Sequence, residues 1–200
     1  MRLGWIPGWA VPLGAFGDLV RTLAPGAEHI LVSPTARAVE DLLEQGPFDR
    51  LIGYSLGSLL LLRSQGGFGC GADLLAPIFA FPLEEGLGGR KRRASVRSLA
   101  RRLRGDPGAA LDRFRIQAGL SGLDGDPGSV ADLEWGLMEL EKGRVEPPLP
   151  PGWRAWVGSE DPFLDAALLA ARSPAIRTVK GAGHGPEPLV REWANAPLPC

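Results

Sequence analysis

Short apolar runs alternate with stretches of helical periodicity along most of this chain. The runs at Leu3–Ile6, His29–Val32, Leu51–Tyr54, Asp73–Phe79, Arg154–Val157 and Ile176–Val179 predict strands. Pro12–Leu23, Ala36–Gln45, Ser55–Ser64, Phe163–Ala171 and Pro186–Ala196 predict helices. Strands alternating with helices in this way imply an α/β fold, a mostly parallel sheet of about six strands with helices on both faces.

The pattern breaks between Phe81 and Pro151. This stretch is helical in character, rich in arginine early and acidic later, and carries no strand pattern. It closes in Glu146-Pro147-Pro148-Leu149-Pro150-Pro151, a stiff extended connector. We read residues 81–151 as a small helical cap inserted between two strands, with 1–80 and 152–200 forming the core. The glycine-rich segment Gly66 to Gly71 lacks phosphate-loop spacing and reads as a connection.

Composition narrows the class. Two hundred residues, 44% hydrophobic and 22% charged, suit one soluble globular domain. A net charge of −1 does not advertise a polyanionic partner, and no nucleic-acid motif appears. Cys70 and Cys200 have no metal-ligand pattern around them, so neither a disulfide framework nor a metal site is expected. The N-terminus lacks a secretory apolar core, and the longest apolar run, Leu59 to Leu62, cannot span a bilayer. A soluble cytoplasmic monomer without metal or cofactor is the expectation.

The chemistry concentrates around Gly53-Tyr54-Ser55-Leu56-Gly57, a G-x-S-x-G placed directly after a strand and before a helix. A serine in so tight a turn needs small neighbours, which Gly53 and Gly57 supply, and the turn exposes the hydroxyl at the sheet's carboxyl edge. A serine hydroxyl needs a base within hydrogen-bonding reach. Of the two histidines, His29 opens a strand and reads as structural, whereas His184 follows the last strand in Gly181-Ala182-Gly183-His184-Gly185. Asp161, at the end of the preceding strand, is the candidate to orient the imidazole; Glu160 and Asp165 are rivals, and helix capping is its other reading. The Leu56 amide and the Trp9 amide, in Pro7-Gly8-Trp9-Ala10, are the candidate oxyanion donors.

With these residues in place, the chain resembles the α/β-hydrolase superfamily over nearly its full length. Within it, the nearest likeness is to the pimeloyl-[acyl-carrier protein] methyl ester esterases of biotin synthesis. It is carried by Pro7-Gly8-Trp9-Ala10, Gly53-Tyr54-Ser55-Leu56-Gly57-Ser58, Gly158-Ser159-Glu160-Asp161-Pro162 and Gly181-Ala182-Gly183-His184. Phe81-Pro82-Leu83-Glu84-Glu85-Gly86 and Leu103-Arg104-Gly105-Asp106-Pro107 in the cap add to it. Pro7 departs from the histidine usual before the oxyanion-loop glycine, and the chain lacks the strands that commonly precede the first one here. The resemblance implies a serine carboxylesterase of the α/β-hydrolase fold acting on a carrier-bound methyl ester.

Residues 90 to 104 hold Arg90, Lys91, Arg92, Arg93, Arg97, Arg101, Arg102 and Arg104 with no acidic residue among them. Arg93, Arg97, Arg101 and Arg104 fall on one helical face opposite Val96, Leu99, Ala100 and Leu103. Such a face would attract an acidic acyl-carrier protein or a coenzyme A ester, so Arg90 and these four are the candidate docking residues. A solvated arginine-rich helix is the plainer reading of the same pattern. Two rival functions stay open: a general carboxylesterase or acyl thioesterase, and a catalytically silent protein of this fold binding an acidic partner.

Overall fold

The structure, a computed structural model, describes residues 1–64 and 67–197. Six strands form one sheet in the order β2-β1-β3-β4-β5-β6. They are β1 (Arg2–Ile6), β2 (Glu28–Leu31), β3 (Arg50–Tyr54), β4 (Gly71–Leu75), β5 (Arg154–Gly158) and β6 (Ile176–Val179), and every neighbouring pair is parallel. The core helices are α1 (Leu13–Leu23), α2 (Ala38–Leu43), α3 (Leu56–Arg63), α7 (Ala166–Arg172) and α8 (Pro186–Asn195). Helices α1 and α8 pack together on one face, with α2 and α3 on the other. A sheet covered twice needs apolar side chains on both of its faces, and β3 is buried at every position.

The chain leaves β1 first toward β2 and then returns to add β3 on the opposite side. The loops after β1 and β3 therefore diverge, and a crevice opens at the carboxyl ends of these two strands, the usual ligand position in an open α/β sheet. Gly8 and Ser55 sit there. Between β4 and β5 lie a 3₁₀ turn (Leu83–Glu85) and three helices, α4 (Arg93–Gly105), α5 (Pro107–Ala118) and α6 (Val130–Lys142), with α4 packed against both of the others.

The strand predicted over Asp73–Phe79 ends at Leu75. Ala76 adopts φ 51° and donates its amide to the Trp156 carbonyl (2.8 Å), and Pro77 has no amide to continue a ladder. The helix predicted from Phe163 starts only at Ala166, because the Phe163 and Leu164 amides turn back onto the Asp161 carboxylate (2.8 and 3.0 Å). Asp165 caps that helix instead, accepting from the Leu168 amide at 3.0 Å. The predicted helix over Ala36–Gln45 is shorter, Ala38–Leu43.

One polar cluster centres on a carboxylate wholly inside the fold. The fully buried Asp73 carboxylate accepts from Arg50 (2.7 and 2.8 Å), Arg154 (2.6 and 2.8 Å) and the Trp193 indole (2.8 Å). These five bonds tie β3, β4, β5 and α8 together near the amino ends of the strands.

His29 is structural, in accord with its reading from sequence. Its Nδ1 accepts from the Trp5 indole (3.0 Å), and its Nε2 donates to the Ala24 carbonyl (2.8 Å). Burial holds the imidazole pKa below the ordinary value of 6.5; the Ala24 hydrogen bond opposes this and the Arg21 charge adds to it. The unfolded chain thus binds this proton first as pH falls, so the His29 contribution to stability is complete above about 6.5 and declines below it. In urea unfolding from pH 7.5 to 5.5, the midpoint of the wild type should fall further than that of His29→Gln. Equal declines would show that His29 does not carry the effect.

Candidate active site

Ser55 stands between β3 and α3 with φ 53° and ψ −112°, a conformation that costs an L-residue about 1–3 kcal/mol and holds only where the surroundings enforce it. Its neighbours do so. A Cβ on Gly57 would lie 1.9 Å from the Ile6 carbonyl oxygen, and one on Gly53 would lie 2.6 Å from the Gly57 oxygen. The Ser55 amide donates to Leu75 (2.8 Å) and the Gly57 amide to Pro7 (3.1 Å), pinning the turn to both neighbouring strand ends. Ser58, fully buried, donates to the Ser55 carbonyl (2.6 Å) and accepts from the Ile78 amide (3.0 Å).

The three side chains singled out in the sequence meet here. His184 Nε2 lies 2.9 Å from Ser55 Oγ, and its Nδ1 lies 2.7 Å from Asp161 Oδ2. A carboxylate only accepts, so Nδ1 carries the proton and Nε2 is left as acceptor for the serine hydroxyl. The second carboxylate oxygen takes the Phe163 and Leu164 amides, fixing its plane. All three residues are buried, Ser55 at 6% exposure and Asp161 at none. Of the rivals, Glu160 is exposed and Asp165 is occupied as a helix cap.

Glycine makes the imidazole's position possible: a Cβ on Gly158 would fall 2.2 Å from the Gly183 oxygen, and one on Gly185 would fall 2.7 Å from the Gly119 oxygen. The loop bearing His184 thus lies directly on the end of β5 and under the turn after α5.

The loop after β1 presses against the serine. A Cβ on Gly8 would meet Ser55 Cβ at 3.0 Å. Among the described residues, the Trp9 and Leu56 amides donate to no protein acceptor, and Leu56 begins α3, where the amide has no partner within the helix. Both are therefore free to receive an oxyanion. The Trp9 indole donates to the Leu133 carbonyl (2.7 Å) and meets Phe114 edge-on at 4.6 Å, joining this loop to the helices above. Pro7 contributes its carbonyl to the serine turn, accepting from the Gly57 amide.

Tyr54 and Phe163 escaped the sequence reading, and Arg90, read there as a docking residue, packs against the site instead. Tyr54, inside the G-x-S-x-G, donates its hydroxyl to the His184 carbonyl (2.8 Å). Burial, reinforced by the Asp161 charge, pushes the phenol pKa well above its usual value and keeps it a donor. Phe163, two residues beyond Asp161, sets its ring edge-on to His184 at 4.9 Å. Arg90 donates to the Asp161 carbonyl (3.1 Å) and faces the Asp165 carboxylate at 3.7 Å.

Several candidate docking arginines have partners within the chain. Arg97 pairs with Glu141 (2.6 Å), Arg104 with Glu134 (2.5 Å), and Arg93 with Glu85. For Arg97 and Arg104 the acidic later half of the segment folds back onto its basic early half, whereas Glu85 lies in the 3₁₀ turn before it. Among the described residues, Lys91, Arg92, Arg101 and Arg102 form no ion pair. No cluster of three or more histidine, cysteine, aspartate or glutamate side chains poised for a metal occurs among them, and no helix is long and apolar enough to cross a membrane. Burial raises the Cys70 thiol pKa; Cys200 lies outside the described residues.

No protein-family model and no curated protein matches the chain. Solved structures do. An esterase from Exiguobacterium antarcticum is 15% identical, covers 93% of this chain and 85% of its own, and superposes with a TM-score of 0.71. The bottromycin epimerase BotH, 15% identical, covers 96% of this chain and 87% of its own, with a TM-score of 0.61. The RedJ thioesterase of prodiginine biosynthesis in Streptomyces coelicolor, 19% identical, covers 97% of this chain and 89% of its own, with a TM-score of 0.56. The chain has the α/β-hydrolase fold. An epimerase among these structures shows that the fold alone does not choose the reaction; the site must.

Proposed function

We propose that this chain is a serine hydrolase of carboxylic esters, with Ser55 as nucleophile, His184 as general base and acid, and Asp161 as the group that orients His184. The observation that carries the reading is the unbroken row from Asp161 Oδ2 to His184 to Ser55 Oγ, at 2.7 and 2.9 Å. Ser55 Oγ attacks the ester carbonyl as its proton passes to His184 Nε2. The carbonyl oxygen, now negative, is received by the Leu56 and Trp9 amides, of which one such donor is worth about 10²–10³ in rate. Collapse of the tetrahedral adduct breaks the bond to the alcohol, which takes the proton from His184. Water then attacks the acyl-serine with His184 again as base, releasing the acid and restoring Ser55. Esterases and a thioesterase among the similar folds fit this chemistry.

The finer reading is a methyl ester of a pimeloyl group on acyl-carrier protein, in biotin synthesis. The likeness at Gly53 to Ser58, Gly158 to Pro162 and Gly181 to His184 supports it, and so do Arg101 and Arg102, which have no carboxylate partner among the described residues. We expect the carrier-bound methyl ester to be cleaved faster than p-nitrophenyl butyrate at low salt. Raising ionic strength to about 0.5 M, where charges beyond roughly 4–5 Å are screened, should remove most of that advantage. Salt-independent rates on both substrates would leave a general carboxylesterase or thioesterase.

A further inference from the structure

Directly above the aromatic wall of the site, α4, α5 and α6 enclose a groove of about 280 Å³. We propose that this groove is a subsite for an aliphatic chain bearing an anionic group, the part of the substrate away from the scissile ester; the assignment to a substrate rests on the hydrolase reading.

The groove is built for an amphipathic anion in three ways. Its floor is apolar, made by Phe81, Val96, Leu99, Phe114, Leu137 and Phe163, while the uncharged polar side chains of Ser95, Ser98 and Gln117 also line it. It also carries Lys91, Arg102 and Arg113, while no carboxylate lines it. Finally, these three cations pair with no carboxylate among the described residues, although α4 sends Arg93, Arg97 and Arg104 to Glu85, Glu141 and Glu134. In a chain with one more acidic than basic residue, carboxylates were available to neutralise the rim. Three like charges around one apolar opening repel one another, and an anion seated among them relieves that repulsion.

The groove also adjoins the chemistry. Phe114 touches Trp9 at 4.6 Å and stacks on Phe163 at 5.6 Å, and Phe163 stands against His184 at 4.9 Å. The Lys91 ammonium lies over the Phe163 ring at 4.8 Å. A chain lying on Phe114 and Phe163 would thus have one end against the rings that pack on Trp9 and His184 and the other at the cationic rim.

Calorimetric titration of the full-length protein with octanoate, octyl phosphate and octyltrimethylammonium tests this. Both anions should bind at least about tenfold tighter than the cation, and the Arg102→Gln/Arg113→Gln double variant should lose about tenfold for the anions, the size of one charged hydrogen bond. Whichever anion binds tighter identifies the head group as phosphate-like or carboxylate-like. Equal affinity for the cation would overturn the proposal, as would unchanged anion binding by a double variant that keeps its circular dichroism. Fluorophosphonate labelling separates the two readings: a labelled Ser55 with no anion binding removes the subsite alone, and anion binding with no label removes the hydrolase alone.

Discussion

Replacing Ser55 by alanine should lower turnover of an ester substrate by about a millionfold, the loss seen when one member of a triad that works as a unit is deleted. The expectation rests on geometry: His184 Nε2 has a single hydroxyl within reach, and removing it leaves the imidazole nothing to deprotonate. Alanine keeps the Cβ, so the strained turn between β3 and α3 sees little change in packing. The measurement is initial-rate hydrolysis of p-nitrophenyl butyrate, with thermal unfolding as the control for folding. Residual activity within tenfold of the wild type would mean that another group performs the attack.

The second large effect falls on stability, at the other end of the sheet. Asp73→Ala removes the acceptor of five hydrogen bonds and leaves Arg50, 7% exposed, without its counter-charge. Breaking a buried pair from one side costs about 3–5 kcal/mol, because the remaining charge keeps its desolvation cost and loses its partner. Against a usual total of about 5–15 kcal/mol, that loss threatens folding itself. Urea unfolding should show it as a lowered midpoint at unchanged slope. A loss under about 1 kcal/mol, the range of exposed pairs, would show that Arg50 is solvated rather than buried with Asp73.

Much of the fold was legible because its signals are local and periodic. Alternating apolar runs and helical stretches gave all six strands and the core helices, since a doubly covered parallel sheet demands apolar side chains on both faces of its strands. The three side chains of the site were legible for a different reason. Each follows a strand end, and parallel strands bring all such ends to one edge, so chain position predicts spatial convergence. Glycine at 53, 57, 158 and 185 marked where backbones must touch.

What stayed hidden depends on pairing over long separations. Nothing near Asp73 announces that Arg50, Arg154 and Trp193 aim at it, because the register of β3, β4 and β5 creates that cluster. The arginines of α4 read as a free face, yet which of them is neutralised depends on how α6 lies against that helix. Lys91, Arg102 and Arg113 come together only once α4 and α5 have packed. Phe163 looked like a helix residue; its true place was set by Asp161 taking its amide.

Hydrolysis by this chain rests on a Ser55 hydroxyl made nucleophilic by His184 held on Asp161. The most direct measurement of that activation is mass spectrometry of the folded protein after exposure to a fluorophosphonate, with the modified peptide sequenced. One adduct should form, on Ser55, and it should disappear in His184→Ala although the serine remains. An unmodified Ser55 in the wild type, or undiminished labelling without His184, would contradict this mechanism.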